Sequence, residues 1–183
     1  MERKIVHIVG TGTIGEPLIG LLTDYKDQLG IDEVTFHKNT PLLSDRSKVI
    51  DLIRRGARLS VDETLMKDFK KLNMDPDLDT EESIKRSSVV IDCTPRGIGH
   101  ANKAKYYEKF SDSVRVFIAQ GSEDGFGKKY ARGINDFALT SSDKFLQIVS
   151  CNTHNIASIT NTISLHDDPE NLKSGKYVCV RRA

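Results

Sequence analysis

Residues Lys4–Gly15, with the sequence KIVHIVGTGTIG, decide the fold of this chain. They begin with a run dominated by β-branched apolar residues, which is typical of a strand buried on both faces. A Gly-x-Gly-x-x-Gly motif follows at once, and Pro17–Leu29 then carries leucines at helical spacing. A strand, a glycine loop and a helix in this order predict the first βα turn of a dinucleotide-binding domain.

Each glycine of the motif has a distinct physical task. Gly10 permits the tight turn, Gly12 has no side chain to block a pyrophosphate, and Gly15 lets the helix pack closely on the strand. Free N–H groups and the partial positive charge of the helix N-terminus attract phosphates. The motif therefore predicts a nicotinamide dinucleotide as cofactor, with an ordinary βα turn that binds nothing as the alternative.

The rest of the chain alternates short apolar runs with helix-like segments. This alternation predicts a doubly wound, mostly parallel Rossmann sheet of the α/β class. We expect this domain at residues 1–150, and the first helix and strand of an incomplete α+β catalytic domain at residues 151–183. That last strand, Lys176–Val180, would be left uncovered, so we expect the front part of a longer protein. Other strands are expected at Glu33–Lys38, Ser88–Asp92, Val114–Ala119 and Phe145–Val149.

Composition excludes several classes of function. The 183 residues are 38% hydrophobic and 29% charged, as in folded soluble domains. Lys plus Arg (27) nearly cancels Asp plus Glu (26), which argues against nucleic acid or a membrane as partner, and no apolar run approaches the roughly 20 residues of a membrane span. The three cysteines are an odd number without a CxxC pattern, and the histidines lack metal-ligand spacing. We expect no metal, no disulfide framework and a cytoplasmic location.

The end of the second predicted strand bears on the choice of cofactor. In NAD-specific domains a carboxylate at that end binds the ribose hydroxyls, but Asp32 and Glu33 lie at the start of the strand. Its C-terminal end carries Lys38, whose charge suits the 2′-phosphate of NADP. We therefore favour NADP, or the use of both NADP and NAD, with Lys38 as the phosphate partner. A solvated surface lysine is the alternative.

Cys151 stands between the strand Phe145–Val149 and a helix expected to begin near Asn155. A helix N-terminus stabilises a thiolate, which is the form that a nucleophilic cysteine needs. Backbone N–H groups of the same turn can hold the oxyanion formed when the thiolate attacks an aldehyde. A buried structural cysteine is the alternative for Cys151. We expect Cys93 to pack near the cofactor and Cys179 to lie in the core.

Four motifs, taken in order and approximate spacing, resemble the archaeal-type glyceraldehyde-3-phosphate dehydrogenases. They are Gly12-Thr13-Ile14-Gly15 after the first strand, Asp92-Cys93-Thr94-Pro95 at a later strand end, Gln120-Gly121-Ser122-Glu123, and Ser150-Cys151-Asn152-Thr153. The closing residues 180–183 also resemble the first catalytic-domain strand of that family. Only the combination is specific, and it covers nearly the whole chain.

The resemblance implies oxidation of glyceraldehyde 3-phosphate to 1,3-bisphosphoglycerate, with NADP or NAD and inorganic phosphate, through a thioester on Cys151. It also implies a homotetramer and agrees with Lys38 as the 2′-phosphate partner. The other implied contacts are Thr13, Ile14 and Gly121 with the cofactor, Ser150 and Asn152 with the substrate, and Arg182 on the nicotinamide side.

Some features depart from the family pattern. His154-Asn155 follows Thr153, and Ser122 replaces a second glycine. The family's catalytic histidine is expected beyond residue 183, so this chain alone should be nearly inactive, and His154 is only a candidate base. Two alternatives stay open: another thiol-dependent enzyme, such as an aspartate-semialdehyde-dehydrogenase-like protein, and a nucleotide-binding module without chemistry.

Overall fold

The computed structural model describes residues 3–165, 170 and 172–180. Eight strands form one sheet with the order β4-β3-β2-β1-β5-β6-β8-β7, and every adjacent pair is parallel. The strands are β1 (Ile5–Val9), β2 (Glu33–His37), β3 (Arg58–Val61), β4 (Leu78–Asp79), β5 (Val89–Asp92), β6 (Val116–Ala119), β7 (Lys128–Tyr130) and β8 (Phe145–Ile148). The predicted doubly wound α/β sheet is confirmed, and the sheet is parallel throughout.

Helices connect the strands. They are α1 (Gly15–Asp24), α2 (Arg46–Arg54), α3 (Met66–Lys71), α4 (Thr80–Lys85), α5 (Ile98–Asn102) and α6 (Cys151–Thr160). Short 3₁₀ or π-helical turns lie at Leu43–Asp45, Glu63–Leu65, Lys103–Tyr107, Glu108–Phe110, Asp136–Ala138 and Asn161–Leu165.

The two faces of the sheet are buried under separate hydrophobic clusters, because successive residues of a strand point to opposite sides. In β1, Ile8 belongs to the cluster covered by α1, α2 and α3, whereas Val9 belongs to the cluster covered by α4 and the helical turns after α5. Ile8 is in register with Phe36 of β2 and Ile91 of β5. Every residue of β1 is buried, as predicted for a strand covered on both sides.

Three predictions about local structure are wrong. Residues Lys176–Val180 are irregular and exposed, because none of the strands described above pairs with them to supply the hydrogen bonds that a strand needs. Cys179, expected in the core, is therefore exposed. The last helix begins at Cys151 rather than near Asn155.

Within the described part of the chain, no helix is long and apolar enough to cross a membrane. Among the same residues, no group of three or more potential metal-ligating side chains comes together.

Candidate cofactor and substrate site

A cavity of about 670 Å³ lies over the C-terminal ends of β1, β2 and β5. The strand order reverses between β1 and β5, and open α/β sheets bind ligands in the crevice at such a switch point. The volume falls in the usual range for small-molecule sites. The walls include Gly10–Ile14, Lys38–Thr40, Cys93–Pro95, Tyr106 and Gln120.

The glycine loop forms one wall, and its glycines have different surroundings. Gly10 has a φ of +97°, which side chains rarely adopt, and its N–H donates to the carbonyl of His37 at 3.2 Å. A Cβ on Gly15 would lie 2.0 Å from the carbonyl oxygen of Gly10, so α1 can begin here only without a side chain. A Cβ on Gly12 would meet no atom within 4 Å. The packing of the fold therefore does not require a glycine at position 12, and the space beside it is open.

The turn from Gly12 into α1 offers free backbone donors. The N–H groups of Thr13 and Ile14 donate to no residue that the structure describes, and both residues line the cavity. No side chain caps α1. Uncapped N–H groups at a helix start favour a phosphate group, so this loop fits the pyrophosphate of a dinucleotide.

Lys38 lies on the cavity wall, but it is not the solvated lysine considered above. Its side chain is 6% exposed, and its Nζ donates to Oδ2 of Asp45 at 2.6 Å. This hydrogen bond holds the pKa of the Asp45 carboxyl below its ordinary value. The cation predicted to meet a 2′-phosphate is therefore already paired, with a partner that no motif of the sequence indicates.

His37 precedes Lys38 and also faces the cavity. Burial lowers the pKa of its imidazole to about 4, against the weaker opposing effects of Asp62 and Asp92. The ring is therefore neutral at neutral pH, and the positive charge of this wall comes from lysines. Lys105 adds a second, exposed ammonium at the same cavity.

Asp92, at the end of β5, is a buried carboxylate behind the cavity. It accepts hydrogen bonds from the backbone N–H of Thr94 at 2.9 Å, from Asn102 Nδ2 at 2.9 Å and from the Tyr107 hydroxyl at 2.6 Å. Burial, together with this charge, raises the pKa of the Cys93 thiol to about 12. Cys93 therefore lines the cavity as a neutral thiol, as its predicted packing role requires. The signal in the sequence that could have marked Asp92 as a buried polar residue at the site is its position as the polar last residue of an apolar strand.

The loop after β6 connects the cavity to the end of β8. Gln120 lines the cavity, and its Nε2 donates to the carbonyl of Thr94 at 3.0 Å. Gly121 is not among the cavity-lining residues. Its backbone instead lies against Ser150, so close that a Cβ would be 2.6 Å from Ser150 Cα.

Cys151 is the first residue of α6 and is exposed. The Ser150 side chain caps this helix by accepting a hydrogen bond from the N–H of Thr153 at 3.2 Å. Ser150, Cys151 and Asn152 lie outside the cavity lining, next to the loop that carries Gln120. The structure thus puts an accessible thiol at a helix N-terminus, directly after Ser150, which lies against the residue that follows the cavity-lining Gln120.

The remaining predicted site residues are arranged differently. His154, considered above as a candidate base, is engaged elsewhere: its Nε2 lies 3.1 Å from the carbonyl oxygen of Arg132. Arg182 lies outside the described residues.

Comparison with known proteins gives the same family as the motifs. No family model matches the chain. It is 28% identical over 180 residues to the glyceraldehyde-3-phosphate dehydrogenase of Pyrobaculum arsenaticum, covering 97% of the chain and 48% of that protein. It is 31% identical over 184 residues to glyceraldehyde-3-phosphate dehydrogenase 2 of Methanosarcina acetivorans, covering 100% and 51%. It is 27% identical over 188 residues to the glyceraldehyde-3-phosphate dehydrogenase of Sulfolobus acidocaldarius, covering 100% of the chain and 50% of that protein.

The chain spans about half the length of the curated relatives it matches. In its sequence it is similar to archaeal glyceraldehyde-3-phosphate dehydrogenases, with a match consistent with their N-terminal portion, and its parallel α/β sheet is consistent with a Rossmann-type fold.

Proposed function

We propose that this chain is the NAD(P)-binding part of a phosphorylating glyceraldehyde-3-phosphate dehydrogenase in which Cys151 carries the acyl group. The observation that supports this proposal is the contact between Gly121 and Ser150, because it brings the start of α6 against the loop whose Gln120 lines the cavity. The names of the relatives support the same reaction.

In this proposal residues 1–150 bind the cofactor and residues 151–183 begin the catalytic domain. Gly10 and Gly15 shape the phosphate loop, and the space at Gly12 admits the pyrophosphate, to which the N–H groups of Thr13 and Ile14 donate. Further cofactor contacts come from Lys38, Gly121 and Arg182.

Cys151 acts as the nucleophile. Its thiolate forms a bond to the aldehyde carbon, the carbonyl electron pair moves to oxygen, and N–H groups at the start of α6 stabilise the oxyanion. Ser150 and Asn152 flank the substrate. A bound nicotinamide supplies the acceptor for the hydride that leaves this carbon. Inorganic phosphate then attacks the remaining thioester carbon, breaks the C–S bond and releases 1,3-bisphosphoglycerate and the thiolate.

The cellular setting is part of the same proposal. Cys93, Cys151 and Cys179 are all free, which suits a reducing cytoplasm. The family resemblance supports a homotetramer.

Titration with NADH and NADPH, followed by nucleotide fluorescence, tests the cofactor half of the proposal. We expect both to bind the wild-type chain, and Gly12→Ala to weaken both by at least about tenfold through its clash with the pyrophosphate. The unfolding midpoint of Gly12→Ala should match the wild type, because the fold leaves that space open. Absence of nucleotide binding by the wild type, or unchanged binding by Gly12→Ala, would contradict the proposal.

A nucleotide-binding module without chemistry is the second candidate, since Cys151 is not among the cavity-lining residues. Incubation with glyceraldehyde 3-phosphate and NADP or NAD, without phosphate, separates the two. Because no base is proposed beside Cys151, we expect acylation to be slow, so that after prolonged incubation mass spectrometry finds an acyl group on a fraction of Cys151 and none on Cys179. A chain that binds nucleotide but gains no acyl group would favour the module.

A further inference from the structure

Lys38 and Asp45 form a closed charge pair at the cavity wall. The Nζ–Oδ2 distance is 2.6 Å, with the lysine 6% exposed and the aspartate 33% exposed. No other hydrogen bond of Lys38 Nζ to a described residue accompanies this contact. The ammonium of this buried lysine is therefore held by one carboxylate, which is itself partly exposed.

Asp45 is oriented toward the lysine rather than toward its own helix. It occupies the N-cap position of α2, where an aspartate commonly accepts a hydrogen bond from the helix backbone. Here no side-chain cap bond forms, and the carboxylate accepts from Lys38 instead. Asp45 itself is not among the cavity-lining residues, so it acts on a ligand through Lys38.

Other charged groups near this pair do not compete with Lys38 for Asp45 or with Asp45 for Lys38. Lys48, close to Asp45, is engaged with Glu16 at 3.1 Å, and His37 is neutral at neutral pH. The charge at Lys38 is therefore balanced by Asp45 before any ligand arrives.

We propose that Asp45 is a specificity-setting, positioning residue that restrains the binding of a 2′-phosphate and thereby lets the chain use NAD as well as NADP. This inference rests on the proposed cofactor function. A ribose hydroxyl is neutral and can approach the pair without a charge conflict. A 2′-phosphate must share the Lys38 ammonium with a carboxylate of its own sign, which weakens its binding.

The test compares NADPH and NADH affinities of the wild type, Asp45→Asn, Asp45→Glu and the double variant Lys38→Met/Asp45→Asn. Asp45→Asn keeps a hydrogen-bond acceptor and removes the charge, so we expect NADPH to bind at least about fivefold tighter, with NADH changed by less than about twofold. Asp45→Glu, which keeps the charge, should retain the wild-type preference. The gain should vanish in the double variant, because Lys38 transmits it.

The result separates this inference from the cofactor proposal. If the wild type and Asp45→Asn bind NADH but their NADPH affinities agree, or if NADPH binds more weakly to the variant, the role of Asp45 is wrong and the cofactor proposal stands. Equal shifts for both nucleotides would indicate a structural role for Asp45 and would also overturn the inference. If none of these proteins binds either nucleotide, both proposals fail. Unfolding midpoints of all four proteins show that each is folded.

Discussion

Gly121 and Ser150 are in backbone contact: a Cβ on Gly121 would lie 2.6 Å from Ser150 Cα and 2.7 Å from Ser150 N. Gln120, the preceding residue, faces the cavity, and Cys151 follows Ser150 at the start of α6. The distance between the proposed nucleophile and the cofactor cavity therefore depends on two loops that touch through a glycine.

Substitution of Gly121 tests this contact. Gly121→Ala must push the two loops apart, since backbone atoms occupy the space of the new methyl group, and we expect a loss of roughly 1–3 kcal/mol in the free energy of unfolding. Urea denaturation measures this loss. Gly12→Ala adds the same methyl group in open space and is the matched control. Equal unfolding free energies for the two variants would contradict this expectation, because they would show that the two loops can move apart without loss of stability.

Thiol labelling tests the environment of Cys151. Cys151 and Cys179 are both exposed, but only Cys151 begins a helix, so its thiolate should gain from the helix N-terminus. In single-cysteine variants at pH 7, we expect iodoacetamide to alkylate Cys151 several-fold faster than Cys179, on the order of 1 kcal/mol in barrier. Cys93 should react slowest, since it is buried and its thiol pKa is raised to about 12. Equal rates for the two exposed thiols would argue against a prepared nucleophile.

The hydrogen bond from Tyr107 to the buried Asp92 should stabilise the wall of the cavity. Tyr107→Phe leaves the carboxylate with one donor fewer, and hydrogen bonds to charged groups contribute about 1.5–3 kcal/mol, which is the expected loss in unfolding free energy. Tyr130→Phe removes a similar bond, to Asp136 at 2.8 Å, in an exposed setting, where a loss below about 0.5 kcal/mol is expected. Denaturant unfolding of both variants decides the matter. Equal losses of unfolding free energy in the two variants would show that the other hydrogen-bond donors to Asp92 satisfy its carboxylate without Tyr107.

The sequence alone predicts those parts of the fold whose signals are local. The strand β1, the glycine loop and α1 follow from a buried apolar run, three glycines and helical spacing within two dozen residues. The position of Cys151 between a strand and a helix also follows from the strand before it and the apolar periodicity after it, although the helix begins at Cys151 itself and not near Asn155 as expected. These features need no information about distant parts of the chain.

Features that depend on distant partners could not be predicted in the same way. The strand β7 (Lys128–Tyr130) is polar and pairs at the sheet edge, so its sequence lacks an apolar pattern. Residues Lys176–Val180 have a pattern that favours a strand but no described neighbour to pair with. Lys38 was predicted at the cavity, but its pairing with Asp45 depends on the path of the 3₁₀ turn Leu43–Asp45, which no motif indicates. The pairing that neutralises the charge of Lys38 thus depends on the tertiary structure and could not be predicted from a local motif.

Acid should destabilise the protein through His7, which is buried in the middle of β1. Its Nδ1 lies 2.7 Å from the Thr35 hydroxyl oxygen, and its Nε2 has no partner among the described residues. Burial, helped by His37, lowers its pKa from 6.5 to about 3. In this window the unfolded chain binds the proton and the folded chain does not. Stability is therefore complete above about pH 6.5 and falls on acidification, by up to about 1.4 kcal/mol per pH unit for this one group.

Removal of His7 should flatten that slope. His7→Val keeps a β-branched residue in a central strand, and although the Thr35 hydroxyl loses its partner, the pH dependence contributed by the imidazole disappears. Urea unfolding at several pH values between 6.5 and 4 gives the slope of unfolding free energy against pH. For His7→Val this slope should be shallower than that of the wild type by nearly the contribution of one bound proton. The slope that remains is expected from His37, whose pKa is lowered to about 4. Ile8→Val, at a buried position of the same strand, is the control and should keep the wild-type slope, because it removes no titratable group. A wild-type slope in His7→Val would mean that the buried imidazole is protonated in the folded protein.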